Sequence, residues 1–523
     1  VTGHTGFKGA WLTAWLKQLG ANVVGIALDP PSELNHFDVA DMVTGMEDHR
    51  IDIRDSEKLE KAIISAQPDF VFHLAAQALV RTSYESPLDT WQTNVLGTLH
   101  VLEALRKLDK SCAAVIITSD KCYDNVEWVW GYRENDAMGG PDPYSASKGA
   151  AELAIRSYIK SYFPKETSKV RIASARAGNV IGGGDWAANR IVPDCVKAWS
   201  IDDEVLLRNP HSTRPWQHVL EPLSGYLNLA IELYEQPDMH GEPFNFGPPA
   251  QQNHSVLELV EQMSLYWKQV RWQDISQSVK GPYESGLLKL NCDKALHYLN
   301  WHAVMGFEDT VRMTAEWYKS YYQQPENIAA TTQSQIEIYM SLAKQQLNTE
   351  YDSAELEKLY DENPTEAARI EHKLKRKQQK LDLAMQQTQS EQKKQFDTFL
   401  QDQQKKLELK MPEFSDPAKS QNLKAGMKST LNNYGFNDSE VAQVYDHRIV
   451  MLVNDAMKYR NMQNSKPNLA KKILKPSKPF SSGVKQTKSE VNLKVRKDKF
   501  SRLRKTGHIK DAQDVFLDMI TNK

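Results

Sequence analysis

Glycine recurs at every third position near the start of this chain, at Gly3, Gly6 and Gly9, just ahead of apolar residues at helical spacing. Such a loop turns tightly, lets the backbone approach a pyrophosphate, and aims the N-terminus of the next helix at it. An isolated glycine-rich turn looks much the same, so context decides. Asn22 to Leu28 reads as a second strand, ending at Asp29. That acid lies about 20 residues beyond Gly9, where a dinucleotide fold keeps its ribose-binding carboxylate. An acid there favours NAD over NADP, because it repels a 2′-phosphate. The other reading is a plain turn Asp before Pro30 and Pro31.

Strand and helix patterns then alternate. Asp52, Ile53, Arg54 and Asp55 open a helix reaching about Ala66, and Asp69 to Ala76 is a buried strand. Trp91 to Leu108 is an amphipathic helix, and Ala113 to Ser119 and Val170 to Ala175 are further apolar strands. This alternation predicts an α/β fold with a Rossmann-type, doubly wound parallel sheet. Ligands in such folds sit at the carboxyl ends of the strands. Thr118 to Lys121 follow one of those ends, so they should share a crevice with the glycine loop.

Downstream stand Tyr144 and Lys148, four apart. On a helix they stack one turn above each other. An ammonium beside a phenol lowers the phenol pKa. A phenolate near neutral pH could take a proton from a sugar hydroxyl while hydride leaves the same carbon. Chance pairs with this spacing are common in helices; this one has the strand end and the glycine loop for company. For Asp120 and Lys121 the plainer reading is a solvated ion pair.

With 523 residues, three or four ordinary domains fit. The four cysteines, Cys112, Cys122, Cys195 and Cys292, show no C-x-x-C spacing, which indicates neither a metal site nor a disulfide framework. Reduced thiols in a cytoplasmic compartment fit best. No apolar run approaches the roughly 18–20 residues that span a bilayer, and no signal peptide is evident. The chain starts at Val1, as if within a strand, and we read it as missing a short N-terminal segment.

The glycine loop, Asp52-Ile53, His73 to Ala76, Asn94, Thr118-Ser119 and Tyr144 with Lys148 follow one another as in the extended short-chain dehydrogenase/reductase family, which this chain resembles over residues 1–345. Thr118 to Asn125, Glu127 to Glu134, Arg176 to Trp186 and Arg214 to Val219 narrow the resemblance to nucleotide-sugar 4,6-dehydratases of the CDP-glucose type. The resemblance implies a redox-neutral dehydration with NAD. C4 is oxidised, the C5 proton and C6 hydroxyl are eliminated, and hydride returns to C6, giving CDP-4-dehydro-6-deoxyglucose.

It further implies roles. Tyr144 is the base at C4, Lys148 binds the nicotinamide ribose, and Ser119 with Thr118 bonds the same hydroxyl. Asp120 is the acid at C6. Lys121 acts at C5, as a base if neutral or as a cation on the enolate. Cofactor contacts are expected from Gly3, Thr5, Gly6, Phe7, Gly9, Asp29, Asp52, Ile53, Leu74, Ala75, Ala76, Thr118, Tyr144 and Lys148. Substrate contacts are expected from Asn179, Arg190 and Arg214, although either arginine could be an ordinary surface one. No metal is called for. A homodimer through helices near 91–107 and 144–162 is implied as well.

The expected organisation is a NAD-binding part over 1–178, with a contribution from about 213–240, and a substrate-binding part over 179–345. Then come a long polar helix or coiled coil (346–410), a small helical unit (411–464), and a basic, largely disordered tail with a short terminal helix (465–523). From Met451 on, 18 Lys and Arg face 6 Asp and Glu, so the tail could meet an acidic protein or nucleic acid, or merely solubilise the chain. This third loosely resembles tailed-phage scaffolding proteins. A second reading of the whole is therefore a fusion or assembly protein with an inactive dehydratase-like front.

Overall fold

The computed structural model describes residues 1–267, 270–277, 286–349, 360–442, 444–472, 488–506 and 515. It divides into two compact units, Val1–Asp397 and Thr398–Lys523.

In the first unit, α1 (Phe7–Gln18) leads to β1 (Val24–Ala27), β2 (Glu47–Arg50), α2 (Ser56–Ala66), β3 (Phe70–His73), α3 (Gly97–Arg106) and β4 (Cys112–Ile117). Next come α4 (Pro143–Tyr162), β5 (Val170–Ala177), α5 (Leu220–Glu235), β6 (Pro243–Phe246), α6 (Phe307–Gln323) and α7 (Ile328–Thr349). Strands β3 to β6 pair in parallel in the order β6-β5-β4-β3, and β1 pairs in parallel with β2. Thr2 joins the two sets, bridging to Ile26 on β1 and to His73 on β3. Its N–H donates to Phe72 O at 2.9 Å, its carbonyl accepts from Leu74 N at 3.1 Å, and Gly3 N donates to Ile26 O at 2.8 Å. The order β2-β1-Thr2-β3-β4-β5-β6 is the doubly wound sheet that the alternating pattern predicts.

Strand β4 shows why the sheet is central. All of its residues are buried, as in a parallel strand covered on both faces. Ala113, Val115 and Ile117 join Trp11, Leu12 and Leu223 in one core, while Cys112, Ala114 and Ile116 join Leu59, Leu102 and Ile155 in the other. Side chains alternate between the helical layers because the strand period is two.

Element boundaries shift where side chains capture backbone groups. Helix α2 starts at Ser56 rather than Asp52, because Asp55 accepts from Lys58 N at 3.2 Å. The helix expected over 91–108 is three pieces: Pro87–Trp91, a π turn over Gln92–Leu96, and α3. A π turn inserts one residue into the ladder and often lies at a functional site; here it carries the buried Asn94.

Beyond 345 the structure corrects the expected organisation. Helix α8 (Pro364–Lys410) contributes its first part to the first unit. Leu381, Ala384 and Met385 pack on the main core. Lys380 donates to Glu232 on α5 at 2.8 Å, Arg376 pairs with Glu235, and Asp382 pairs with Lys344 on α7. A mean composition this polar hid the few apolar residues that dock.

In the second unit, α9 (Pro417–Asn433) and α10 (His447–Lys472) pack through Met427 and Val453, with Leu407 and Met411. Asn437 and Glu440 exchange hydrogen bonds of 2.8 and 3.0 Å, a reciprocal helix cap. A short helix, Asp438–Ala442, follows. Asp446 starts a new one by accepting from Arg448 N at 2.8 Å. Residues 465–472 continue α10 and 488–506 form α11 (Lys488–Thr506), so those parts of the tail are helical, not disordered. Stretch 488–506 has good helix formers and neither Gly nor Pro. The terminal helix expected near 510–520 lies outside the described residues, apart from 515.

One buried acid links α5 to α7. Glu221 accepts from Val304 N (2.9 Å), Met305 N (2.6 Å) and the Tyr339 hydroxyl (2.8 Å). Burial pushes its carboxyl up from 4.5 to about 7, and these donors only partly offset that. The native state thus binds the proton more tightly than the unfolded chain does. This contribution is complete below pH 4.5 and is lost as pH rises to 7 and above, by roughly 3 kcal/mol. Glu221→Gln keeps the acceptor and should be the more stable form at pH 8 by a similar amount. Denaturant unfolding of both forms at pH 4.5 and pH 8 checks this; parallel pH dependences would contradict it.

Candidate active site

A cavity of about 750 Å³ opens at the carboxyl ends of β3, β4 and β5. Its walls include Phe7, Lys8, Leu74, Ala76, Thr118 to Lys121, Tyr144, Lys148, Asn179, Arg190, Arg214 and Trp216. That size suits a ligand of several rings.

Local sequence explains the placement. Helix α4 begins at Pro143, a favoured first position, with Asp142 accepting from Ser145 N at 2.9 Å. Tyr144 and Lys148 therefore occupy its first two turns, both buried. Asn94 on the π turn donates to Ser147 Oγ at 2.9 Å and accepts from Gln77 N at 2.8 Å, and Ser147 donates to Tyr144 O at 2.7 Å. After β4, Ser119 caps a short 3-10 turn over Asp120–Cys122 by accepting from Lys121 N at 3.3 Å. Its hydroxyl donates to Asp120 Oδ1 at 3.0 Å.

Under these residues lies a buried ion pair that the sequence reading missed. Glu152, two turns after Tyr144 on the same face of α4, bonds Arg176 Nη2 at 2.8 Å and Nε at 3.0 Å. It also accepts from Thr118 and from Ser174 at 2.9 Å. Burial alone would raise the Glu152 carboxyl, but the Arg176 charge and these donors outweigh it and hold it below the usual range. Arg176 continues to Tyr123 (2.7 Å), whose hydroxyl donates to Asn245 (2.7 Å). The i, i+4, i+8 spacing of Tyr144, Lys148 and Glu152 was the available signal. Lys8 was missed too. Its ammonium is driven down to about 8, chiefly by burial and then by Arg190, while Asp120 opposes the change.

The expectation of a low phenol pKa is not met in the ligand-free chain. Burial pushes Tyr144 up to about 12, and contact with the Ser119 hydroxyl offsets only part of it. Burial likewise drives Lys148 down to about 8, with Lys8 adding to it. The same desolvation that brings the two side chains together disfavours both charged forms.

The glycine loop adjoins the cavity. Gly3 lies at φ +73, and a Cβ there would be 2.7 Å from Ala75 N; one on Gly9 would be 2.0 Å from Gly3 O. Only glycine fits either place, and the turn leaves the first amides of α1 free to meet an anion. Thr5 donates to Leu28 O at 3.0 Å, and Ala75 N to Thr2 Oγ1 at 3.2 Å. Asp29, Asp52 and Ile53 do not line the cavity. Asp29 follows β1 with its carboxylate 90 % exposed, 3.9 Å from Arg50 Nε. Asp52 holds the Arg54 guanidinium at 2.6 Å, and Ile53 packs against Gly97. Among the expected substrate contacts, Arg190 pairs with Asp185 at 2.7 Å, and Arg214 donates to Thr213 O at 2.8 Å.

Residues 1–314 match the family model described as GDP-mannose 4,6 dehydratase. The chain belongs to the GDP-mannose 4,6-dehydratase family. It is 47% identical over 347 residues to a CDP-glucose 4,6-dehydratase of Salmonella typhimurium, covering 65% of this chain and 95% of that one. A dTDP-glucose 4,6-dehydratase of Bacillus anthracis, solved in complex with NAD, superposes with a TM-score of 0.50 at 21% identity, covering 61% of this chain and 95% of that one. A UDP-glucose 4-epimerase of Stenotrophomonas maltophila with bound NAD gives 0.53 at 21% identity, covering 62% and 98%. The two structures share the fold. The resemblance of the C-terminal third to phage scaffolding proteins finds no support in these matches. Among the described residues, no helix is long and apolar enough to cross a membrane, and no group of three or more His, Cys, Asp or Glu could hold a metal ion.

Removing one partner of the Glu152–Arg176 pair leaves a desolvated charge. Glu152→Ala should cost roughly 3–5 kcal/mol. Urea unfolding measures it, and a loss under 1 kcal/mol would show that the pair bears little of the site's stability.

Proposed function

We propose that this chain converts CDP-glucose to CDP-4-dehydro-6-deoxyglucose and water, with NAD as a cofactor regenerated in each turnover. The observation that carries this reading is the 47% identity to a CDP-glucose 4,6-dehydratase along nearly that enzyme's whole length, joined to a cavity walled by Ser119, Asp120, Lys121, Tyr144 and Lys148. Bound NAD supplies the hydride acceptor at C4 and the donor at C6. The residues present suit it: a glycine turn with no room for a Cβ, the free amides of α1, Phe7, Leu74 and Ala76 as apolar walls, and Lys148 for a ribose. Asp29 would be the ribose carboxylate of the other half.

The chain's own groups move the protons. Tyr144 takes the C4 hydroxyl proton, with Ser119 beside the same oxygen. Oxidation at C4 acidifies the C5 proton, and Lys121 acts there, as a base when neutral or as a cation on the enolate. Asp120 gives its proton to the departing C6 hydroxyl. Asn179, Arg190 and Arg214 hold the sugar diphosphate, the arginines as two-pronged donors. An epimerase or reductase has no use for an acid at C6, which favours dehydration for Asp120 beside Lys121.

A homodimer fits the exposed apolar residues Leu88, Trp91 and Leu96 and, on α4, Leu153. Free buried thiols fit a cytoplasmic setting. The basic C-terminal tail is a candidate for an acidic protein or nucleic acid.

The assay is the ultraviolet absorbance of the 4-ketosugar in base after incubation with CDP-glucose and NAD; none from folded protein would end this reading. Tyr144→Phe should lower C4 oxidation by at least about a hundredfold, so no reduced cofactor is seen. Lys121→Ala should slow elimination more than oxidation, so reduced cofactor accumulates; equal loss of both steps would remove Lys121 from C5. Truncation after residue 349 should leave kcat within about twofold, since no described residue of α8 lines the cavity, and should lower stability by roughly 1–3 kcal/mol through loss of Leu381 and Met385. A large fall in kcat on truncation would give the C-terminal region a part in the chemistry.

A further inference from the structure

Three polar atoms behind the C6 acid are buried and have no hydrogen-bond partner in the protein: Asp120 Oδ2, Tyr226 Oη and Gln217 Oε1. Their residues sit around the turn that follows β5. Asp120 Oδ2 faces Gly178, where an added Cβ would stand 2.8 Å away. Gln217 lies beside the same turn, donating its N–H to Asn179 O at 3.1 Å and pairing in register with Val180. Its Nε2 donates to Phe246 O at 3.2 Å, so Oε1 is left as an acceptor. Phe246 stands opposite Ala177, one residue before that turn, and its ring meets the Tyr226 ring edge-on at 5.6 Å. Asp120 and Tyr144 are the titratable neighbours of the Tyr226 hydroxyl.

Gln217 Oε1 can only accept, a carboxyl oxygen such as Asp120 Oδ2 can accept, and the Tyr226 hydroxyl can donate. Burial pushes the Tyr226 phenol far above its ordinary value, which keeps it protonated. Buried polar atoms left unpaired cost free energy comparable to a broken hydrogen bond. One water would satisfy all three, accepting from Tyr226 and donating to Asp120 Oδ2 and Gln217 Oε1. Buried waters typically make about three such bonds.

We propose that Tyr226 and Gln217 hold one buried water against Asp120 Oδ2, and that Tyr226 is thereby a positioning residue for the acid of the C6 step. The proposal rests on the dehydratase reading. Ser119 fixes Oδ1 at 3.0 Å, and the water fixes Oδ2 from behind. With both oxygens held, the carboxyl cannot rotate away from the leaving hydroxyl. No proton passes through the water; it orients.

Tyr226→Phe removes the hydroxyl and nothing else. Elimination at C6 should slow about tenfold or more, while C4 oxidation and the KM for CDP-glucose stay within about twofold, so reduced cofactor accumulates at steady state. Equal slowing of both steps, a change in KM alone, or unchanged kinetics overturns the proposal. A crystal structure of the wild-type protein is the second measurement: a water within hydrogen-bond reach of Asp120 Oδ2, Tyr226 Oη and Gln217 Oε1 is expected. A direct Tyr226–Asp120 bond, or a dry contact, overturns it. Wild-type enzyme that makes no 4-ketosugar defeats the dehydratase reading instead, and the crystal structure alone then decides the water.

Discussion

Arg176 and Glu152 carry full charges in an interior that solvates neither. They persist because each is met by the other and by neutral donors and acceptors arranged around them. Their position matters as much as their strength. Arg176 belongs to β5, Glu152 to α4, and Thr118, which also reaches Glu152, leaves the end of β4. One ion pair thus ties the helix bearing the phenol and ammonium to the two strands whose ends shape the cavity floor. The chemistry above it depends on sub-ångström placement, and the pair supplies a rigid base for it.

Desolvation is the recurring theme of the site. Tyr144, Lys148 and Lys8 all have their charged forms disfavoured by burial. Among the described residues, seven lysines and arginines line the cavity against four aspartates, Asp120, Asp142, Asp185 and Asp194, which leaves surplus positive charge. A nucleotide diphosphate is a natural complement to it. Burial outweighs the pairing of side chains, which is why the phenol does not match the low value that Lys148, one turn on, suggests.

Much of this was legible in the residues themselves. The alternation of strand and helix, the glycine turn and the order of Thr118 to Lys121 before Tyr144 and Lys148 were enough to foresee a parallel sheet with its crevice. Those signals are local, and each has a backbone reason. Other features come from long-range packing and leave no local mark. Thr2 holds the middle of the sheet alone, the π turn at Asn94 interrupts what reads as one helix, and Glu152 looks like any helical acid. Asp29 is in the expected place in the chain, yet its carboxylate points to solvent and Arg50. In the C-terminal region, average polarity concealed a docking stripe of three residues.

That stripe has a consequence for what else can bind there. Helix α8 docks on α5 and α7 through Lys380, Arg376 and Asp382, and it is part of the same chain. Tethering of this kind gives a local concentration on the order of millimolar. A separate helix of similar chemistry would have to outcompete it, so this side of the molecule is closed to casual partners without any strong contact.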